Sequence, residues 1–455
     1  MMLPRFDRPH PTILSPISLD LALPLMESPP MKHVPFVVLA VMWLWSGIGN
    51  AAEPTVASVP RSWPRWRGPL DLGSTSKGNY PSGWSDGKNI QWKTKLPGIG
   101  CSTPAVWNEH ILLTCPIEGH DALMDFDWNG RVRWQTQIAS ERAGKHRNGS
   151  GCNPSPVTDG RHIFVYFKSG TLAGVDFDGR LLWKTNLQDR FGKDTLYWDL
   201  GTSPVLTDAA VIVAVMQSGG SYLASFDKKT GDLLWKVDRN YMTPVEGDHS
   251  YATPLLIEHE GQPALLVWGA EHLTLHAIDD GRILWSCEGF NPDQRGNWVV
   301  VASAVVAGDV AIVPYGRGSH LAGVKLGGSG DVTKSHRLWT RNDTGVFVPS
   351  PVVQDGKVYL VRDGGEVECL DPLTGKTLWS ERFPKHRAKF YASPLIADGK
   401  IYAPREDGVI LVARIADKFE LLSENDMGER VIASPVAIDN RMLIRGEEHL
   451  YCIGN

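Results

Sequence analysis

From Trp63 onward the apolar residues do not recur at helical spacing but come in short runs, and the runs group into units of four. The unit from Ser350 to Phe383 shows the pattern. Pro351-Val352-Val353 is followed by Asp355-Gly356, Lys357 to Val361 by Asp363-Gly364-Gly365, Glu366 to Leu370 by Asp371-Pro372-Leu373-Thr374-Gly375, and Lys376 to Trp379 closes the unit. Runs rich in β-branched and aromatic residues, separated by Asp-Gly and Pro/Gly turns, predict a four-stranded antiparallel meander.

The unit repeats. Tryptophans at 92, 134, 183, 235, 285, 339 and 379 end successive copies, and in five of them a glycine stands four residues earlier: Gly130, Gly179, Gly231, Gly281 and Gly375. Between the tryptophans a small hydroxyl residue precedes proline and an apolar run, at Thr103, Ser155, Ser203, Thr253, Ser350, Ser393 and Ser434, with Ser303-Ala304 filling the remaining place. A period of roughly forty to fifty residues belongs to solenoids, propellers or arrays. Eight four-stranded units predict an all-β fold, an eight-bladed β-propeller. The last unit, Ser434 to Asn455, lacks a fourth strand, and the orphan strand Asn89-Ile90-Gln91-Trp92-Lys93 is free to supply it, joining first blade to last and removing exposed edges. The tryptophans are expected to dock each blade on its neighbour, with the indole N–H reaching a carbonyl at the turn. In the seventh unit Phe419-Glu420-Leu421-Leu422 stands where a tryptophan is due, which predicts a weaker blade contact there.

The chain of 455 residues divides into an upstream segment, 1–30, a secretory signal peptide, 31–52, an N-terminal extension, 53–88, and the propeller, 89–455. Met31-Lys32-His33 leads an apolar stretch from Val34 to Trp45, and small residues follow, so cleavage is expected near Ala51 or Ala52. Translation from Met1 and from Met31 both remain open. The expected product is periplasmic or secreted, monomeric and without a transmembrane span. A net charge of −5 without a basic stripe argues against nucleic acid. Six cysteines show no C-x-x-C pair and so no zinc pattern; Cys101 and Cys152 precede consecutive blade starts, and whether they pair stays open.

In a propeller the loops leading from each outer strand to the next inner strand gather at one mouth of the central opening, where ligands are expected. The residues there selected as ligand-binding candidates are Asn153, Trp198, Asp199, His249, Tyr251, Trp298, Phe347, Tyr391 and Arg430, beside Cys101, Cys152 and Phe390. The basic stretch Glu141 to Asn148 is either a functional loop or a solvated one. His249 can pack its loop or act as base or ligand, and Asp199 can orient a ligand or bond nearby amides. Asn148-Gly149-Ser150 matches a glycosylation pattern. There is no G-x-S-x-G, H-E-x-x-H or Walker signature, and no catalytic or metal-ligating residue is assigned.

The opening Trp63-Pro64-Arg65-Trp66-Arg67-Gly68-Pro69, the strand ending Gln91-Trp92-Lys93 and the start at Ser102-Thr103-Pro104-Ala105-Val106 resemble secreted proteins with pyrroloquinoline-quinone-like, BamB-like propeller repeats, a group that includes the eight-bladed quinoprotein alcohol dehydrogenases. The resemblance covers about residues 63–455 and implies the fold. It implies two activities. One is a non-catalytic binding or scaffolding propeller of the cell envelope that engages an envelope protein or an extended polymer and needs no cofactor. The other is a dehydrogenase of alcohols or sugars using pyrroloquinoline quinone with calcium. A carbohydrate-binding propeller is a third possibility. The chain departs from the dehydrogenases in having no adjacent cysteine pair and no C-x-x-C-H haem site, and from the assembly lipoproteins in having no cysteine between 31 and 60.

Overall fold

Residues 61–76, 78–415 and 418–455 are described by the computed structural model. The expected upstream segment, signal peptide and cleavage point lie outside the described residues. Four-stranded antiparallel blades repeat eight times. Blade 1 runs from Ala105–Trp107 to Val132–Ser140, blade 2 from Val157–Thr158 to Leu181–Asn186, blade 3 from Val205–Leu206 to Leu233–Asp238 and blade 4 from Leu255–His259 to Ile283–Cys287. Blade 5 runs from Val305–Ala307 to Arg337–Arg341, blade 6 from Val352–Gln354 to Thr377–Arg382 and blade 7 from Leu395–Ala397 to Glu420–Asp426. Blade 8 comprises Val436–Ile438, Arg441–Arg445 and His449–Gly454, and its outer strand, Ile90–Lys95, comes from the other end of the chain. The ring is therefore closed as the orphan strand predicts.

Strand burial follows position in the blade. Middle strands such as Ala210–Val215 are buried on both faces and read as continuous apolar runs, whereas outer strands such as Ile90–Lys95 alternate between half-buried and exposed positions. Every outer strand carries a bulge beside the residue facing the fourth position of the third strand or its counterpart, and that residue is the repeat tryptophan in seven blades. Five of these indoles donate to a carbonyl of the following blade: Trp92 to Trp128 (2.9 Å), Trp134 to Phe177 (2.9 Å), Trp183 to Lys228 (2.8 Å), Trp235 to Ile278 (2.8 Å) and Trp339 to Pro372 (2.8 Å).

The repeat glycine serves the tryptophan one blade earlier, not the one four residues ahead. Gly130, Gly179, Gly231, Gly281 and Gly375 have φ between +66° and +82°, and a Cβ on any of them would lie 2.5–2.7 Å from the preceding blade's indole. Only glycine both turns the chain here and lets the ring lie flat on the backbone. Trp285 differs: the third turn of blade 5 is expanded, its Gly330–Asp331 lies along Trp285–Ser286, and the indole is fully buried with no partner for its N–H among the described residues.

In blade 7 the register position of the tryptophan is held by Ser423, opposite Val412. The missing volume comes from elsewhere. Ser423 donates its hydroxyl to the Ser82 carbonyl, the Trp84 amide donates to Asn425 (2.9 Å), and the buried Trp84 ring lies over Tyr402 with its N–H on the Met427 sulfur. The contact predicted to be weak is thus filled by an indole from the N-terminal segment.

That segment also plugs the channel. Ser62–Trp63 pairs antiparallel with Val106–Trp107 of blade 1, and Ser74–Thr75 pairs parallel with Ile396–Ala397 of blade 7. Between them the buried Arg67 guanidinium donates to the carbonyls of Pro394 (3.1 Å) and Pro351 (2.9 Å), and Arg65 pairs with Asp71 at 2.9 Å. Burial draws the Arg67 guanidinium down to about 10 and pushes Asp71 up to about 6.

Candidate functional site

Each Ser/Thr-Pro start places a hydroxyl at the top of an inner strand, and these hydroxyls join the blades. The amide of Thr103 donates to Ser155 Oγ (2.9 Å), Ser155 to Ser203 (3.0 Å), Ser203 to Thr253 (3.0 Å), Thr253 to Ser303 (3.0 Å), Ser303 to Ser350 (2.9 Å) and Ser350 to Ser393 (2.9 Å). Thr103 closes toward blade 8 by donating its hydroxyl to the Ser434 carbonyl (3.3 Å). The residue type that the repeat demands is therefore an acceptor for the neighbouring blade's amide, which a Ser/Thr side chain supplies without bulk.

Above this belt lies a cavity of about 550 Å³. Its floor is Trp66, held by an indole N–H donated to Ser434 Oγ (3.2 Å). Six of the nine residues expected at the mouth line it: Asn153, Trp198, Asp199, Tyr251, Phe347 and Tyr391. Tyr251 accepts the Trp198 amide on its hydroxyl (2.9 Å), and burial raises the phenols of Tyr251 and Tyr391, so both stay neutral. Burial also pushes the Cys101 thiol up to about 11.

Three expected residues are elsewhere. His249 is buried behind the rim, its Nε2 bonded to Ser218 Oγ (2.9 Å) and 3.8 Å from Asp248; it holds its own loop. Trp298 packs outward against Tyr315 and His320 under Arg295. Arg430 stands behind the wall, donating to the Arg147 carbonyl (2.7 Å) and Asn148 Oδ1 and pairing with Glu447 (2.8 Å). Each precedes a blade start by a few residues, but loop curvature turns its side chain away, and residue spacing does not encode that curvature.

The basic stretch is a strap across the mouth. It starts at the end of blade 1, and its tip, Arg147, reaches Glu406 of blade 7 at 3.4 Å. Asp199 tethers it: the carboxylate, buried, accepts the amides of Lys145 (2.9 Å) and His146 (3.0 Å) and the Lys168 ammonium, which also donates to the Ala143 carbonyl (2.7 Å). The His146 ring lies 3.9 Å from Trp198. Asp199 therefore bonds nearby amides, one of the two roles open from the sequence. Asn148 is bonded to Arg430 within the cavity wall, an unsuitable place for a glycan. Cys101 and Cys152 are unbonded; the first faces the Asn148 carbonyl and the second Asp121.

Residue spacing did not point to Trp66 or Arg317 as lining residues, and it included His146 and Arg147 only within the basic stretch. Arg317 has φ +55°, stacks its guanidinium 4.4 Å over Phe347 and donates to the Asn297 carbonyl (3.1 Å). It comes from the turn between Val310–Tyr315 and His320–Lys325 inside blade 5, away from the blade starts by which the mouth was located. Among the described residues no three of His, Cys, Asp and Glu converge as metal ligands, and no helix is long and apolar enough to cross a membrane.

A family model described as outer membrane protein assembly factor BamB matches residues 119–257 and 329–418. The chain is 22% identical over 313 residues to the outer membrane protein assembly factor BamB of Yersinia pestis, covering 65% of this chain and 71% of that one. Among solved structures it is similar to BamB from Moraxella catarrhalis, with a TM-score of 0.56 at 15% identity over 80% of this chain and 98% of the other. It is also similar to the quinohemoprotein alcohol dehydrogenase of Comamonas testosteroni, with a TM-score of 0.61 at 11% identity over 87% and 81%.

Proposed function

The chain belongs to the family described as outer membrane protein assembly factor BamB, and from that premise we propose that it is a non-catalytic binding propeller of the cell envelope that holds a protein segment in its mouth. The observation that carries this is the state of the mouth's one aspartate. A base or calcium ligand needs free lone pairs, yet Asp199 already accepts two amides and an ammonium while fixing the strap. The residues present therefore do not suit a calcium-held quinone, and no chemical step is assigned to them. What they offer is aromatic wall and floor ringed by a belt of hydroxyls, a surface for binding. Cleavage of a leader and export to the envelope are part of the same proposal.

Photocrosslinking tests it. A benzophenone side chain at Tyr391 in the mouth should capture an envelope protein, and the same group at Leu234 on the outer edge should not. Dye-linked oxidation of alcohols by the purified protein given pyrroloquinoline quinone and calcium would overturn the proposal, and so would glycan binding abolished by Tyr251→Ala.

A further inference from the structure

Charge around the cavity is unevenly spent. Asp199 is neutralised by Lys168 beneath it, whereas the guanidinium of Arg317 faces the cavity with no carboxylate partner among the described residues. Arg147 meets Glu406 only at 3.4 Å and its side chain is 73% exposed. Beside Tyr391 the loop after blade 6 carries Lys385, Arg387 and Lys389, all exposed; Lys389 lies near enough to the buried Asp363 carboxyl to favour its charged form. This loop abuts the strap: the Lys389 amide donates to Glu406 (3.1 Å), the carboxylate that Arg147 reaches. The acidic groups nearby are engaged. Glu406 and Glu447 share Arg430, Asp407 holds Arg405 and His386, and Asp363 accepts the amides of Phe347 and Val348. At the base, the hydroxyls of Ser155, Ser203, Thr253, Ser350 and Ser393 accept amides from neighbouring blades or face them, and among the described residues none donates its own proton to the protein. A chain of net charge −5 thus presents a mouth whose uncommitted groups are cations and hydrogen-bond donors set among aromatic rings.

We propose that the mouth recognises an acidic, aromatic-bearing extended peptide segment: a ring enters between Trp198, Tyr251, Phe347 and Tyr391, and flanking carboxylates meet Arg317, Arg147 and the Lys385 to Lys389 loop. A polyanion recognised by charge alone would leave the aromatic cavity empty, and a neutral apolar peptide would leave the cations unpaired. This rests on the binding role proposed above and names the ligand class for it.

Fluorescence polarisation tests the inference with a labelled nonapeptide alternating aspartate or glutamate with phenylalanine, its counterpart with side-chain amides for carboxylates, and heparin as competitor. The acidic peptide should bind at least about tenfold more tightly than the amide peptide, with the preference falling as salt rises. The triple variant Lys385→Gln, Arg387→Gln, Lys389→Gln should lose most of that preference while keeping its melting temperature, because all three side chains are exposed. Tyr391→Ala should weaken the acidic peptide as well. Equal affinity for the two peptides, at a site blocked by Tyr391→Ala, would overturn the inference and leave the binding role standing. Preferential heparin binding would overturn it in favour of a polyanion site. Binding of neither peptide, together with no crosslink from Tyr391, would remove the binding role itself.

Discussion

Replacing Gly231 by alanine probes blade docking with a built-in control. Gly231 has φ +74°, and a Cβ there would sit 2.5 Å from Cδ2 and 2.6 Å from Cε3 of Trp183. Alanine in the left-handed region costs about 1 kcal/mol, and forcing an indole off its seat adds about 1–3 kcal/mol of overpacking. The ring cannot retreat cheaply, because its N–H is bonded to the Lys228 carbonyl at 2.8 Å. Gly356 has nearly the same backbone angle, φ +70°, but open space around its Cβ position. Gly356→Ala should therefore cost only the backbone part, about 1 kcal/mol, and Gly231→Ala about 2–4 kcal/mol. Urea unfolding followed by circular dichroism, with equal m-values confirmed, gives the difference directly. Equal midpoints for the two variants would refute the proposition that the repeat glycine exists to seat the preceding blade's tryptophan.

Trp84→Ala should destabilise by about 3 kcal/mol or more, since it empties the slot that Ser423 leaves, and a urea midpoint unchanged from the parent would show that blade 7 closes without it. Asp199→Asn strands the buried Lys168 ammonium, at a cost of about 3 kcal/mol, and should expose the strap to trypsin at Arg142, Lys145 and Arg147; an unaltered digestion pattern would contradict its tethering role. His276 is buried with Nδ1 on the Gly281 carbonyl (2.8 Å) and Nε2 on Thr274 (2.9 Å), and burial lowers it to about 4. Between about 4 and the ordinary 6.5 the unfolded chain binds the proton that the native chain refuses, so this group's contribution is lost as pH falls through that window. His276→Gln should flatten the stability profile between pH 4 and 6.5, and a slope identical to the parent's would count against it.

The fold was legible because its rules are local and repeated: the glycine, the tryptophan and the hydroxyl-proline start each recur at the register position where blades meet. What the period could not reveal was partnership across the ring. The repeat glycine lies four residues from one tryptophan but touches another, and Trp84, outside the repeat, fills the gap at Ser423. In the candidate site, Trp198, Tyr251, Phe347 and Tyr391 were legible because they sit next to the blade starts. His249, Trp298 and Arg430 sit equally near and face away, since loop curvature is set by bonds such as Ser218 to His249 that no spacing encodes. The floor residue Trp66 was visible as part of the opening motif, but its place inside the channel depends on pairing with blades 1 and 7, hundreds of residues away for the latter.

Native-state hydrogen exchange of Ile90–Lys95 bears most directly on ring closure, from which the plug, the belt and the mouth all follow. If this strand completes blade 8, those of its amides that donate to His449–Gly454 should exchange with the same opening free energy as the amides of that strand, near the global value, while the alternate amides on the open edge exchange fast. Exchange of every Ile90–Lys95 amide at the rate of a fraying terminus, while the strands of blade 8 stay protected, would contradict closure.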